Sequence, residues 1–201
     1  MLQQFIKSYW SYYLELESQF IETKRYVEFG QNNAKTYSVE YLKLYQAVCS
    51  EIDVVGKEIA QRVNPNFSID KRTNIQKWGY EIQQQFPHIK DIQVSFVHEQ
   101  TIHPFQNWKY EIHTNKTGRH NLRIANEAKN VIPWWSNYNK VKHQRIGLVT
   151  GTQNFLLANQ KNLILAFSAL FLMEILFIQW LITDESTQIE LEKSRLFTII
   201  E

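Results

Sequence analysis

Residues 163–182 read LILAFSALFLMEILFIQWLI, twenty positions of which only Ser168, Glu174 and Gln179 are polar. Two structures compete for such a stretch. Its length is that of a membrane span, and Lys161 before it with Asp184-Glu185 after it would suit insertion with the N-terminal side inside. A helix at the centre of a packed domain is apolar all round for the same reason. Glu174 favours the second structure, because an acid deep in a bilayer costs about 3 kcal/mol on insertion scales. The upstream apolar stripes also need a partner, and this segment is the obvious one. We therefore expect a buried core helix, no membrane partner, and a mainly α single domain over residues 1–201.

Working outward, residues 2–27 carry Leu2, Phe5, Ile6, Tyr9, Trp10, Tyr13, Leu16 and Phe20 at three-to-four spacing, an amphipathic helix with an aromatic stripe. Gly30-Gln31-Asn32-Asn33 ends it. Ser38 is a good N-cap for a second helix reaching Val63, where Asn64-Pro65 stops it. Its apolar face is Tyr41, Leu42, Tyr45, Val48, Cys49, Ile52, Val55, Ile59 and Val63. Thr73 to Gln76 has capping-box spacing for a third helix ended by Pro87. Ile92, Val94 and Phe96 alternate with polar residues, as do Trp108, Tyr110 and Ile112, which predicts a hairpin insertion over 91–113. Residues 114–132 read as a basic loop. Pro133-Trp134-Trp135-Ser136 opens a fourth helix of about ten residues closed by Gly147, and residues 183–201 read as a charged tail.

Composition bounds the chemistry. Hydrophobic residues at 44% and charged residues at 21% are ordinary for a globular chain, and six Trp within 14% aromatics favour a dense core or a large interface. Six Gly and four Pro leave few breaks in long helices. Cys49 is the single cysteine and cannot form an internal disulfide, and no signal-peptide pattern opens the chain, which together point to a reducing, cytoplasmic setting. The net charge of +2 is uninformative. Its distribution is not: between Thr114 and Ile146 stand Lys116, Arg119, Arg123, Lys129, Lys140, Lys142 and Arg145 against Glu127 alone. Such an excess can attract phosphates or simply be a solvated surface.

The histidines do not form a metal site. His98 and His103 flank Glu99 but are five apart, where a helical zinc pair needs four, and His88, His113 and His120 add no ligand spacing. Phosphate-cradling glycine loops, serine-nucleophile motifs and paired CxxC motifs are absent, so no cofactor is expected. What remains is Asn139, Lys142 and His143, which share one face at about 100° per residue. An imidazole moves protons near neutral pH, a lysine offsets phosphate charge, and an amide orients a phosphate or hydroxyl. Arg145 falls about 200° from His143 on an ideal helix. The same residues also fit a plain helix whose His143 packs beside Trp134 or Trp135 and whose Lys142 is solvated. Glu51 stands at the edge of the second helix's apolar stripe, either reaching the fourth helix or facing water. Asp53 and Lys57 have the spacing of a surface pair.

An Asn-x-x-Lys-His step on a short helix, followed by a long apolar helix, resembles the HEPN superfamily of all-helical proteins. Together with Cys49 to Lys57 and Trp134-Trp135, it looks like the HEPN-like abortive-infection proteins of AbiV type. The resemblance covers the second helix and residues 133–182. It implies a HEPN-like helical bundle, a homodimer with its site across the two-fold, and phage defence by action on RNA or translation, with a phage protein as activator. Carried over, His143 takes the motif's histidine and Asn139 its polar residue, with Lys142 on phosphate. The basic segment adds Lys140, Arg145, Arg119 and Arg123 as candidate RNA contacts, and Glu51 is a candidate support. Tyr138 stands where the family has arginine. That departure leaves open a metal-independent RNase, in which Lys142 or a second subunit's Arg145 replaces the arginine, and a non-catalytic protein that binds a phage or host protein. A membrane-associated effector using residues 163–182 is the third alternative.

Overall fold

The computed structural model describes residues 1–97, 100–106, 108–114, 117, 120–124, 132–149, 151–185 and 189–200. Its architecture is mainly α, with a small antiparallel three-stranded sheet. The first helical run is α1 (Leu2–Phe5), a π-helical turn at Ile6–Trp10 and α2 (Ser11–Glu22). Helix α3 (Val39–Val63) begins at the expected cap, where Ser38 Oγ accepts the Tyr41 N–H at 3.0 Å. Helix α4 (Ile75–Gln85) is capped by Asn74 rather than Thr73: Asn74 Oδ1 accepts the N–H groups of Gln76 and Lys77, while Thr73 Oγ1 accepts the Asp70 N–H. Helices α5 (Pro133–His143) and α6 (Gln160–Glu185) complete the set.

Helix α6 is long and apolar enough to cross a membrane by length and composition, yet most of it is covered by the other helices. Phe20 of α2 stacks on Phe167 at 5.1 Å, Phe177 meets Phe5 edge-on at 4.8 Å, and α3 runs along its length. Burial on all sides is what an apolar circumference requires. Glycine sets the spacing of the next layer. A Cβ on Gly56 of α3 would lie 2.7 Å from the Trp78 ring of α4, so only glycine lets that indole lie flat against the helix.

The strands pair differently from the expected hairpin. β1 (Gln93–Phe96) pairs with β2 (Gln100–Ile102) on one side and with β7 (Phe197–Ile200) on the other, placing Phe96 opposite Phe197. β3 (Tyr110–Thr114) pairs instead with β4 (His120–Ile124), inside the segment expected to be loop. β5 (Leu148–Val149) pairs antiparallel with β6 (Thr152–Gln153). Alternating polarity marks a strand but carries no information on its partner, and that is where the expectation failed. Nor is 183–201 merely a tail: α6 continues to Glu185, and β7 completes the sheet.

The C-terminal segment is held by a buried acid. Glu17 of α2, fully buried, accepts hydrogen bonds from the Tyr13 and Ser194 hydroxyls, from the Arg195 N–H at 2.9 Å and from the Leu196 N–H at 3.2 Å. Trp10 Nε1 adds a bond to the Glu192 carbonyl at 2.9 Å. An acidic side chain that satisfies backbone donors in this way fixes a segment far from it in sequence.

Candidate functional site

Helix α5 is placed by Trp134, Tyr138 and Val141, which recur at helical spacing and are buried. Trp134 Nε1 donates to the Pro104 carbonyl at 2.9 Å, and the Tyr45 hydroxyl of α3 donates to the Trp134 carbonyl. The tryptophan therefore belongs to the core. The helix ends at His143 because Gln144 leaves the helical region (φ −152°, ψ 70°), three residues before the expected glycine. Gly147 lies in the turn beyond, its N–H on the Gln144 carbonyl at 3.0 Å. Lys140, Lys142 and His143 fill the last turn, where cationic groups favour the helix dipole.

Asn139 and Lys142 are brought together as expected. They line one side of a cavity of about 360 Å³, whose other walls are Trp135 and Tyr138 of α5, Ser50 and Asp53 of α3, and Thr73 to Gln76 at the start of α4. The Lys142 ammonium lies 5.5 Å from the centre of the Tyr138 ring, within cation–π range. Tyr138 itself is buried against Tyr45 and Trp135, with ring centres 6.1 and 5.3 Å away. Burial, reinforced by Cys49 and Asp53, pushes its hydroxyl up to about 12, so it stays neutral at physiological pH. Tyr138 is thus a core tyrosine with the Lys142 ammonium over its ring.

His143 does not line this cavity. It is exposed at the helix end, packed under neither Trp134 nor Trp135, and its ring has no hydrogen-bond partner among the described residues. Arg145 lies past the helix and donates to Gln46 Oε1 of α3 at 3.3 Å. Lys140 leans toward Asn137, Nζ to Oδ1 3.4 Å, away from the Asn139 side. Arg119 lies outside the described residues, as does the side chain of Arg123.

Glu51 turns toward α6 and the N-terminal run, not toward α5. Burial raises its carboxyl; Glu174 is raised by burial and then by the charge of Glu51, and Tyr9 by burial, then Glu58, then Glu51. Asp53 is ion-paired with Lys57 and also accepts the Trp78 indole N–H at 3.0 Å. It is therefore a wall residue held in place by the core. Cys49 is buried, and burial holds its thiol protonated, which removes it as a nucleophile. No group of three or more His, Cys, Asp or Glu suited to a metal occurs among the described residues.

Sequence reasoning did not anticipate that Trp135, Asp53 and the cap of α4 share one cavity with Asn139 and Lys142. The capping signal at Asn74 located the helix, but nothing local says which helix end faces α5. The chain matches no protein-family profile, no curated protein and no solved structure.

Proposed function

We propose that this chain is a HEPN-like defence protein that works by holding RNA against α5. The observation that carries the reading is the cavity in which Trp135, Tyr138, Asn139 and Lys142 face the amides at the start of α4. A flat aromatic edge suits an unpaired base, an ammonium at the rim suits its phosphate, and amide groups suit base edges. The cellular setting, abortive infection of phage-infected cells, and a homodimer with a phage protein as activator come from the resemblance of Asn139, Lys142 and His143 to the family motif. Binding is favoured over cleavage because His143 stands outside the cavity and the arginine position is a buried tyrosine.

Metal-free cleavage by His143 is the second reading, supported by its exposure one residue from Lys142. One experiment separates them: purified protein is mixed with total and transfer RNA without metal, beside Lys142→Gln, Trp135→Ala and His143→Ala. Salt-sensitive binding without cleavage, weakened at least about tenfold by Lys142→Gln, is the expected result. Cleavage abolished by His143→Ala would establish the second reading instead. RNA binding that survives Lys142→Gln and Trp135→Ala unchanged would refute the site. Light scattering at twice the 24.0 kDa chain mass is expected for the dimer.

A further inference from the structure

A second cavity, of about 470 Å³, opens on the other flank of α5. Asn137, which lines it, stands two residues and so about 200° around the helix from Asn139. Its cationic residues are Lys35 and Lys161, with His103 beside them, its amides are Gln106, Asn137, Asn159 and Asn162, and its apolar lining is Leu165 with Pro104, Pro133 and Trp134. No acid lines it among the described residues, and neither lysine ammonium has an ion-pair or hydrogen-bond partner among them.

The walls are tied to one another. The Lys161 N–H donates to the Ala34 carbonyl at 3.0 Å and the Gln160 N–H to the Thr36 carbonyl at 2.9 Å, which locks the Lys35 loop to the start of α6. Gln160, fully buried, strengthens the lock, accepting the Gly30 N–H at 3.1 Å and donating to the Glu28 carbonyl at 3.1 Å. The opposite wall is fixed by the Trp134–Pro104 bond, and Asn137 Nδ2 reaches Asn162 Oδ1 at 3.3 Å. The first N–H groups of α6 are already engaged, by Thr36, Ala34 and Asn159, so the helix end is not the anion receptor. The positive charge comes from two lysines that the fold brings together from residues 35 and 161.

We propose that this cavity binds a small organic phosphate: a phosphate monoester whose anionic end meets Lys35 and Lys161 and whose flat or apolar body rests on Pro104, Pro133 and Leu165. The volume lies within the range of small-molecule sites, and an acid-free cationic rim above an apolar floor selects an anion with an organic body over a bare ion. Because Pro133, Trp134 and Asn137 belong to the first turns of α5, the ligand would sit directly behind the helix that carries Asn139 and Lys142.

The test is calorimetric titration of the full chain with AMP as probe and inorganic phosphate as comparison, on the unmodified protein, on Lys35→Gln/Lys161→Gln and on Lys142→Gln. Both substituted lysines of the double variant are exposed, so the fold should be unaffected, and an unchanged circular dichroism melt verifies it. AMP is expected to bind saturably, at least about tenfold tighter than phosphate. Affinity at the tighter site should fall at least about tenfold in Lys35→Gln/Lys161→Gln and by less in Lys142→Gln. Absence of saturable AMP binding would overturn the proposal, as would equal affinity for phosphate. AMP binding lost in Lys142→Gln but kept in the double variant would overturn it too, by locating the nucleotide on the other flank of α5.

Discussion

Glu174 sits at the middle of α6, fully buried, and neither carboxyl oxygen has a hydrogen-bond partner. Desolvation, with the charge of half-buried Glu51 added to it, raises its carboxyl well above the ordinary 4.5. The folded chain keeps this proton at pH values where the unfolded chain has lost it, so the folded state is favoured fully below about pH 4.5. That advantage is lost as pH rises, at about 1.4 kcal/mol per unit until the folded group ionises. By pH 7 the ceiling on that loss is about 3 kcal/mol. Glu174→Gln removes the ionisation and keeps the shape, so it should match the native chain near pH 4.5 and exceed it progressively above. Glu174→Leu also removes the unsatisfied polar atoms and should gain about a further 1–2 kcal/mol at every pH. Urea unfolding followed by circular dichroism, repeated from acid to mildly alkaline pH, reads both differences directly. A stability difference between Glu174→Gln and the native chain that stays flat with pH, or a net loss in the glutamine variant, would refute the reasoning, because it would mean that the acid is ionised and partnered inside the fold.

Glu17 is equally buried but fully partnered, so the expectation reverses. Glu17→Ala should cost about 3–5 kcal/mol and free residues 189–200, read as early hydrogen exchange in β7 and at Leu196. Gly56→Ala should cost about 1–3 kcal/mol by driving a methyl into the Trp78 ring, and combining it with Trp78→Leu should cost less than the sum of the two, a double-mutant cycle in urea being the measurement. His143→Ala should change stability by no more than about 0.5 kcal/mol, since its ring is exposed and unpartnered; a large thermal destabilisation would show that it packs.

Much of the helical frame was legible because it is written in local periodicity and local stops. The stripe from Tyr41 to Ile59, the cap at Ser38 and the apolar run at 163–182 each need only neighbouring residues to be read. The shared face of Asn139 and Lys142 was legible for the same reason, since helical spacing alone brings them together. His143 was placed on that face by the same arithmetic, but it is the last helical residue and turns to solvent where Gln144 breaks the spiral. Contacts between distant segments followed no local rule. That β7 joins β1 depends on Glu17 collecting the N–H groups of Arg195 and Leu196 across the chain. That Glu51 faces α6 rather than α5 depends on how two helices cross. Which segments are helical and which faces are apolar could be read from the chain alone, because both follow from interactions over three or four residues. That the start of α4 closes a cavity against Trp135 and Lys142, and that Lys35 and Lys161 line one cavity, was settled by packing, because side chains so far apart in sequence converge only when packed helices and a clamped loop bring them there.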